Sequence, residues 1–347
     1  MIYSEGSYCA KFYYSIIRNF DANLKVLLIS NSDNDQTLTM LRDEVCQVSV
    51  VYTKSADILK YIFQNLRCSV FLTTIPDLSL SFFKKTDLCA RYVYIPHSLV
   101  STHVVYNERA FDDFDCIFVC GEYQKREIRK REALFNLPQK KLIPLRFPLF
   151  DWFDYKYDVT STHRDQKSIL IAPSWGAGSF FETQNWQIWC EEIIAAGYKV
   201  ILRPHPETIK RNKQVALSLE NYSATHKKVL LDLSPDNFES LSTSTYIITD
   251  WSGISLDFAL YFERPVILID GPRKINNPNF NVLEIEAMEE FIRNSLFPVI
   301  SLSQFNEGFL SQLSIKIKDI NDLRGSILFN NSFNQQLKKE NLLDFFR

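Results

Sequence analysis

Residues 248–270 read ITDWSGISLDFALYFERPVILID. Two apolar runs, Tyr246–Ile248 and Val266–Ile269, flank a polar turn and a short apolar segment. Both runs are apolar on consecutive residues, which marks strands covered on both faces by helices. The segment Ile254–Phe262 is long enough for a short helix, so the stretch reads as strand, turn, helix, strand. Asp250-Trp251-Ser252-Gly253 then sits at a strand end, just before a helix, and two readings apply. Ser252 can cap the helix while Asp257 complements its dipole. Alternatively, the first-turn N–H groups and their partial positive charge seat an anion, with Gly253 allowing close backbone approach. The turn has no Lys or Arg and no G-x-G-x-x-G, so a dinucleotide fingerprint is absent.

The same pattern extends in both directions. KVLLIS (25–30), VSVVYT (48–53), SVFLTT (69–74), RYVYIPHS (91–98) and DCIFVCGEY (115–123) are strand-like in the first half. SILIAPSW (168–175), YKVILRPHP (198–206), KVLLDLS (228–234), TYIITDWS (245–252) and PVILID (265–270) follow in the second. Helical periodicity falls between them at 56–66, 124–135 and 183–197. Alternation of this kind, twice over, predicts an α/β protein of two doubly wound parallel sheets. The break falls in PLRFPLFDWFDYKYDVTSTHRDQK (144–167), which holds two prolines and then a polar stretch without periodicity. We expect domains at 1–150 and 165–330, and an amphipathic helix at 331–347. Two such sheets are expected to face a cleft at their strand ends, where ligands bind.

Bulk properties narrow the function classes. The chain has 347 residues, 46% apolar and 23% charged, with a formal net charge of -2. That charge argues against a nucleic-acid partner. No apolar run reaches the length of a membrane span, and the start lacks the basic and apolar regions of a signal peptide. The seven Cys are scattered without a C-x-x-C pair, which fits reduced thiols, a cytoplasmic protein and no structural zinc. QKREIRKRE (124–132) reads as a solvated helix face, with contact to anionic lipid headgroups as the alternative.

Four polar turns follow apolar runs. DWSGISLD (250–257) is one. RPHPE (203–207) is another: two prolines stiffen the backbone around His205, and Arg203 is placed to meet the same anion or, alternatively, His205 is a structural strand-end residue. PHSLVSTH (96–103) carries His97 and His103, with Glu108 and Arg109 beyond. An imidazole there suits a general base for a hydroxyl, and the packing alternative weighs more for His103. APSWGAGS (172–179) offers Trp175 as a stacking face or a core residue, and Gly176 and Gly178 for close backbone approach.

In this order the turns resemble the CDP-glycerol glycerophosphotransferase family, the teichoic-acid polymerase and primase enzymes of GT-B fold. APSW (172–175) is similar to the family's Pro-Thr-Trp turn, and RPHP (203–206) to its Arg-x-His-Pro element. TDWSGISLD (249–257) followed by RPVILID is similar to its Thr-Asp-Tyr-Ser-Ser, Phe-Asp and Pro-led strand. IYSEG (2–6) and LLISNSDNDQ (27–36) are similar to its opening strand and Ser-Asp-x-Asp turn. The sequence departs at Pro-His-Ser, where the family has Trp-His-Gly, at Trp251 for Tyr, and at Gly253 for the second Ser.

The resemblance implies a GT-B-like transferase that moves glycerol or ribitol phosphate from a CDP-alditol donor to a lipid-linked or polymeric glycan acceptor, releasing CMP. It implies His97 and His205 as catalytic, and Arg203, Ser252, Gly253 and Asp250 around the donor phosphates. Pro173, Ser174, Trp175 and Asp257 then face the nucleotide or alditol, and Ser98, His103 and Arg109 the acceptor. No cofactor is required, although Asp250 and Asp257 leave room for a divalent metal. The expected location is cytoplasmic, with peripheral work at the inner membrane face. The alternatives are a GT-B glycosyltransferase using a nucleotide sugar, a non-catalytic nucleotide-binding protein, and a non-hydrolysing sugar epimerase.

Overall fold

KVLLIS becomes a strand over the same residues, Lys25–Ser30, and both neighbours run parallel to it. The computed structural model describes residues 1–78, 85–157, 167–176, 178–183, 185–301, 320, 324–325 and 328–329. The expected helix at 331–347 lies outside them.

The first sheet has the strands β1 (Ile2–Ser4), β2 (Lys25–Ser30), β3 (Gln47–Tyr52), β4 (Phe71–Thr73), β5 (Tyr92–Tyr94), β6 (Cys116–Val119) and β7 (Lys141–Pro144). Their order is β3-β2-β1-β4-β5-β6-β7, all parallel. The second sheet has β8 (Ser168–Ile171), β9 (Lys199–Leu202), β10 (Val229–Leu231), β11 (Tyr246–Thr249), β12 (Val266–Ile269) and β13 (Val299–Ile300), in the order β10-β9-β8-β11-β12-β13 and again all parallel. Each is a Rossmann-like, doubly wound sheet whose strand order reverses beside its first strand, between β1 and β4 and between β8 and β11.

Burial explains why these runs form strands. β8, β11 and β12 have almost no exposed residues, so both faces must be apolar. Ile169, Ile171, Val200, Leu202, Ile248 and Ile267 pack with Trp186, Trp189 and Ile193 of the helix Asn185–Ala195. In the first unit Tyr3, Ile29, Phe71, Tyr94 and Ile117 pack with Phe63 of the helix Ala56–Asn65 and with Phe111 and Phe114. β1, β7 and β13 fall outside the apolar runs that mark the other strands. β7 also ends on Pro144 at a sheet edge, where a missing N–H is tolerated.

One unit holds Met1–Tyr157 together with Ile275–Ile285, and the other runs to Lys274 and resumes at Glu286. The range 165–330 expected for the second domain therefore includes a segment that packs in the first. Hydrogen bonds explain the excursion. Asn276 and Asn277 donate their backbone N–H groups to the Val104 carbonyl, at 3.0 and 3.2 Å. The Asn277 side chain donates to the His103 carbonyl at 2.8 Å and accepts from the Asn279 N–H at 2.9 Å. His103 Nε2 lies 3.2 Å from the Ile285 carbonyl oxygen.

Asn277 is 3% exposed, so its loss strands buried polar groups. Asn277→Ala is expected to destabilise the first unit by about 1–3 kcal/mol, seen as a lower urea midpoint in its unfolding transition. An unchanged midpoint contradicts the clamp.

Candidate functional site

In the second unit, the turns after β8 and β11 meet where the strand order reverses. Asp250, 8% exposed, joins them. Its Oδ1 accepts from the Ser174 N–H at 2.8 Å and its Oδ2 from the Ser174 hydroxyl at 2.7 Å. Thr249 adds a bond from its hydroxyl to the Ala172 carbonyl at 2.7 Å. Asp250 was expected beside an anion. Its carboxylate instead spends both oxygens on Ser174, and as an acceptor it cannot bond a phosphate oxygen. Its place is to hold the turn Pro173–Trp175 in register, with Pro173 buried and Ser174 and Trp175 half-buried.

The helix Ile254–Phe262 starts open. Its N-cap is Gly253, and no side-chain oxygen caps it. The expected Ser252 cap does not form. The Ser252 carbonyl accepts from the N–H and hydroxyl of Ser255, at 3.2 and 2.8 Å. Among the described residues no acceptor meets the N–H groups of Ser252, Gly253 and Ile254. These are the orphan donors of a helix start, with the positive end of its dipole behind them. Asp257 follows, half-buried, in the first turn. Helix Gln36–Glu44 in the first unit differs: Asp35 caps it, accepting from the Thr37 N–H at 2.9 Å.

Trp251 is pinned by its indole N–H, which donates to the Gly271 carbonyl at 3.0 Å. The Arg293 guanidinium lies 4.2 Å from its ring centre and Arg273 5.6 Å. Arg293 is 8% exposed at the side chain and donates through Nη2 to the Ile269 carbonyl at 3.0 Å, while among the described residues its buried Nη1 meets no hydrogen-bond partner. Arg273 pairs with Glu290 at 2.6 Å. Trp175 carries cations too: Arg211 at 4.9 Å and Lys274 at 5.8 Å from its ring centre. Gly176 and Gly178 follow with φ of 129° and 75°, a path that a side chain would strain.

His205 caps the short helix Pro206–Arg211, its Nδ1 accepting from the Glu207 N–H at 3.1 Å. Its ring lies 6.1 Å from that of Trp175. Burial, and then the neighbouring Lys274 charge, push its pKa down to about 4. The imidazole is therefore neutral near pH 7. With Nδ1 accepting, its proton sits on Nε2, which makes it a donor rather than a cation. Arg203 does not join it. Its guanidinium bonds Asp232 and donates to the Ser234 carbonyl at 2.8 Å.

Lys274 supplies the cation that Arg203 was expected to bring. Burial lowers its pKa, while Asp250 and Glu289 raise it. No motif in the sequence marks Arg273 and Lys274 in GPRK (271–274), or Arg293 on the helix Met288–Ser295. The signal for GPRK was its place, immediately after the strand-like run PVILID at a carboxyl end.

In the first unit His97 follows β5. Its Nδ1 lies 3.1 Å from the Tyr94 hydroxyl, and Phe12 and Tyr106 meet its ring edge to face. Ser98 lines a small cavity nearby with Tyr94, Pro96 and Tyr106. His103 is apart from them, 4% exposed, its Nδ1 3.4 Å from Glu127 Oε1. Arg109 stays 69% exposed at its side chain, beside Asp112. The basic helix Glu122–Leu134 directs Lys125, Arg129, Lys130 and Arg131 to Glu122, Glu132, Glu284 and Asp112. Among the described residues no cluster of three or more His, Cys, Asp or Glu could hold a metal, and no helix is long and apolar enough to cross a membrane.

No curated protein matches this chain. The family described as CDP-Glycerol:Poly(glycerophosphate) glycerophosphotransferase matches residues 126–270. The structure is similar to that of the wall teichoic acid polymerase TagF, with a TM-score of 0.57 and 12% identity, covering 93% of this chain and 81% of that one. It is also similar to S. aureus MnaA in a UDP co-structure, with a TM-score of 0.58 and 12% identity over 96% and 93% of the two chains. The UDP-GlcNAc 2-epimerase of Methanocaldococcus jannaschii gives 0.55 and 12% over 97% and 98%. At these identities the structural likeness establishes the fold. The chain is thus a GT-B-like protein of two parallel-sheet units, and from residue 126 to 270 it is glycerophosphotransferase-like.

Proposed function

We propose that the protein is a phosphotransferase that moves glycerol or ribitol phosphate from a CDP-alditol to a hydroxyl of a glycan or polymer acceptor. The observation that carries this reading is the uncapped helix start at Ser252–Ile254, inside the stretch that matches the family. Such a start binds anions through backbone N–H groups. His205 Nε2–H and Lys274 add a neutral donor and a cation.

In the reaction the acceptor oxygen attacks the β-phosphorus of the donor in line. The bond to the bridging oxygen breaks, and CMP leaves with that electron pair. Charge spreads over the phosphoryl oxygens in the transition state, so fixed donors and positive potential lower the barrier. The acceptor's proton goes to His97. That role requires the tautomer in which Nδ1–H donates to the Tyr94 hydroxyl, leaving Nε2 as the base. No resident metal enters this scheme. In this reading the protein acts at the cytoplasmic face of the membrane on a lipid-linked acceptor.

The test is CMP release from CDP-glycerol and CDP-ribitol by purified protein with a glycan-lipid acceptor. His205→Ala and Lys274→Ala are each expected to lower kcat/KM about 100-fold, the order seen when one donor to a developing anion is removed, and His97→Ala, which removes the general base, by about 100-fold or more. Arg203→Ala is expected to lower the melting temperature and leave kcat/KM of the folded enzyme within a few-fold. Release of a nucleoside diphosphate from a UDP-sugar instead of CMP supports glycosyl transfer and overturns the proposal.

His205 gives a pH signature. Folding lowers its pKa to about 4, so between that value and the ordinary imidazole range the unfolded chain binds the extra proton. Stability is full above that range, falls as pH drops toward about 4, and levels off below. In imidazole NMR titrations Lys274→Ala is expected to raise the His205 pKa. Titration of wild-type His205 near 6.5 contradicts the neutral-donor assignment.

A further inference from the structure

A second pocket lies in the first unit, away from His97 on the same sheet. Asn31, Ser32, Asp33, Tyr52, Thr53 and Lys54 line a groove of about 500 Å³ at the carboxyl ends of β2 and β3. That volume is within the range of small-molecule sites, and the carboxyl edge of an open parallel sheet is where ligands bind. Hydrogen bonds tie its walls to the strand ends. Asn31 donates its N–H to the Ser4 carbonyl at 3.4 Å, and Thr53 to the Ser30 carbonyl at 2.9 Å. The Ser30 hydroxyl donates to Asp35 at 2.6 Å and accepts from the Ser32 N–H at 3.1 Å. The Ser7 hydroxyl holds the Asn34 carbonyl at 2.5 Å.

We propose that this groove binds a sugar or polyol segment of the acceptor chain, a placement that rests on the transferase reading above. The chemistry of the lining selects that class. Asp33 only accepts hydrogen bonds, Lys54 only donates, and Asn31 does both, which together match hydroxyls that donate and accept. Tyr52 is 43% exposed and offers a ring face with a polar edge, a surface for the C–H face of a sugar. The charges of Asp33 and Lys54 offset, so the lining has no net charge and suits a neutral segment or one with a single phosphodiester. Engagement here raises acceptor affinity without adding a group to the reaction.

The experiment uses the full chain and two readouts. Saturation-transfer NMR is recorded with ribitol, the methyl glycoside of N-acetylglucosamine and a glycerol phosphate dimer as probes, and with inorganic phosphate as competitor. At least one probe is expected to bind, to resist phosphate, and to lose its signal in Tyr52→Ala and Asp33→Ala but not in Ser252→Ala. In transfer assays the same two groove variants are expected to raise the acceptor KM about tenfold while leaving the donor KM and kcat unchanged. Binding that Tyr52→Ala and Asp33→Ala both leave intact, or no binding, overturns the site even if transfer occurs. Groove-dependent binding without any transfer retains a carbohydrate site and overturns the proposed reaction instead.

Discussion

Ser174 and Asp250 form the contact on which the rest of the second unit's active edge depends. They come from turns after β8 and β11, adjacent strands whose connections leave in opposite directions. A carboxylate that accepts from both a backbone N–H and a hydroxyl is charge-assisted, mostly buried and directional. It closes the gap at the strand-order reversal to a fixed width. The turn carrying Trp175 and the helix start at Gly253 are then set against each other before any ligand arrives. Preorganisation of this kind is what a phosphoryl transfer needs, because the protein's work is positioning and potential.

Electrostatics at this edge follow a division of labour. Asp232 neutralises Arg203, whereas Asp250 keeps its charge under the Ser174 hydrogen bonds and raises the pKa of Lys274. The positive field comes from the helix start, Lys274, and the guanidinium groups stacked on Trp251. The indole explains the Trp in Asp-Trp-Ser-Gly: its N–H ties the turn to the end of β12, and its face keeps Arg293 in place. His205 belongs to the same arrangement because a second cation beside Lys274 would be costly, and burial keeps it neutral.

The fold was readable because parallel strands buried on both faces leave continuous apolar runs, as KVLLIS and PVILID do. Strand length does not decide this, since β4, β5 and β10 have three residues each and lie in such runs, whereas β1 and β13 fall outside them. Long-range hydrogen bonds leave no such trace. Nothing in 275–285 announces that Asn277 clasps His103. At the site, turn positions were legible and partners were not. Arg203 and His205 are two residues apart and looked like one anion clamp. However, β9 ends at Leu202, and Arg203 turns to Asp232, beyond the end of β10, while His205 caps a helix. Ser252 looked like an N-cap by residue type, and the backbone shifts the cap to Gly253.

The central claim is that the open helix start holds the donor's diphosphate. Amide chemical shifts of Ser252, Gly253 and Ile254, followed while CDP-glycerol is titrated into the labelled protein, test it most directly. The account predicts large downfield shifts at these three amides, with cytidine alone leaving them in place. Donor binding that leaves all three unmoved while perturbing other amides would contradict it.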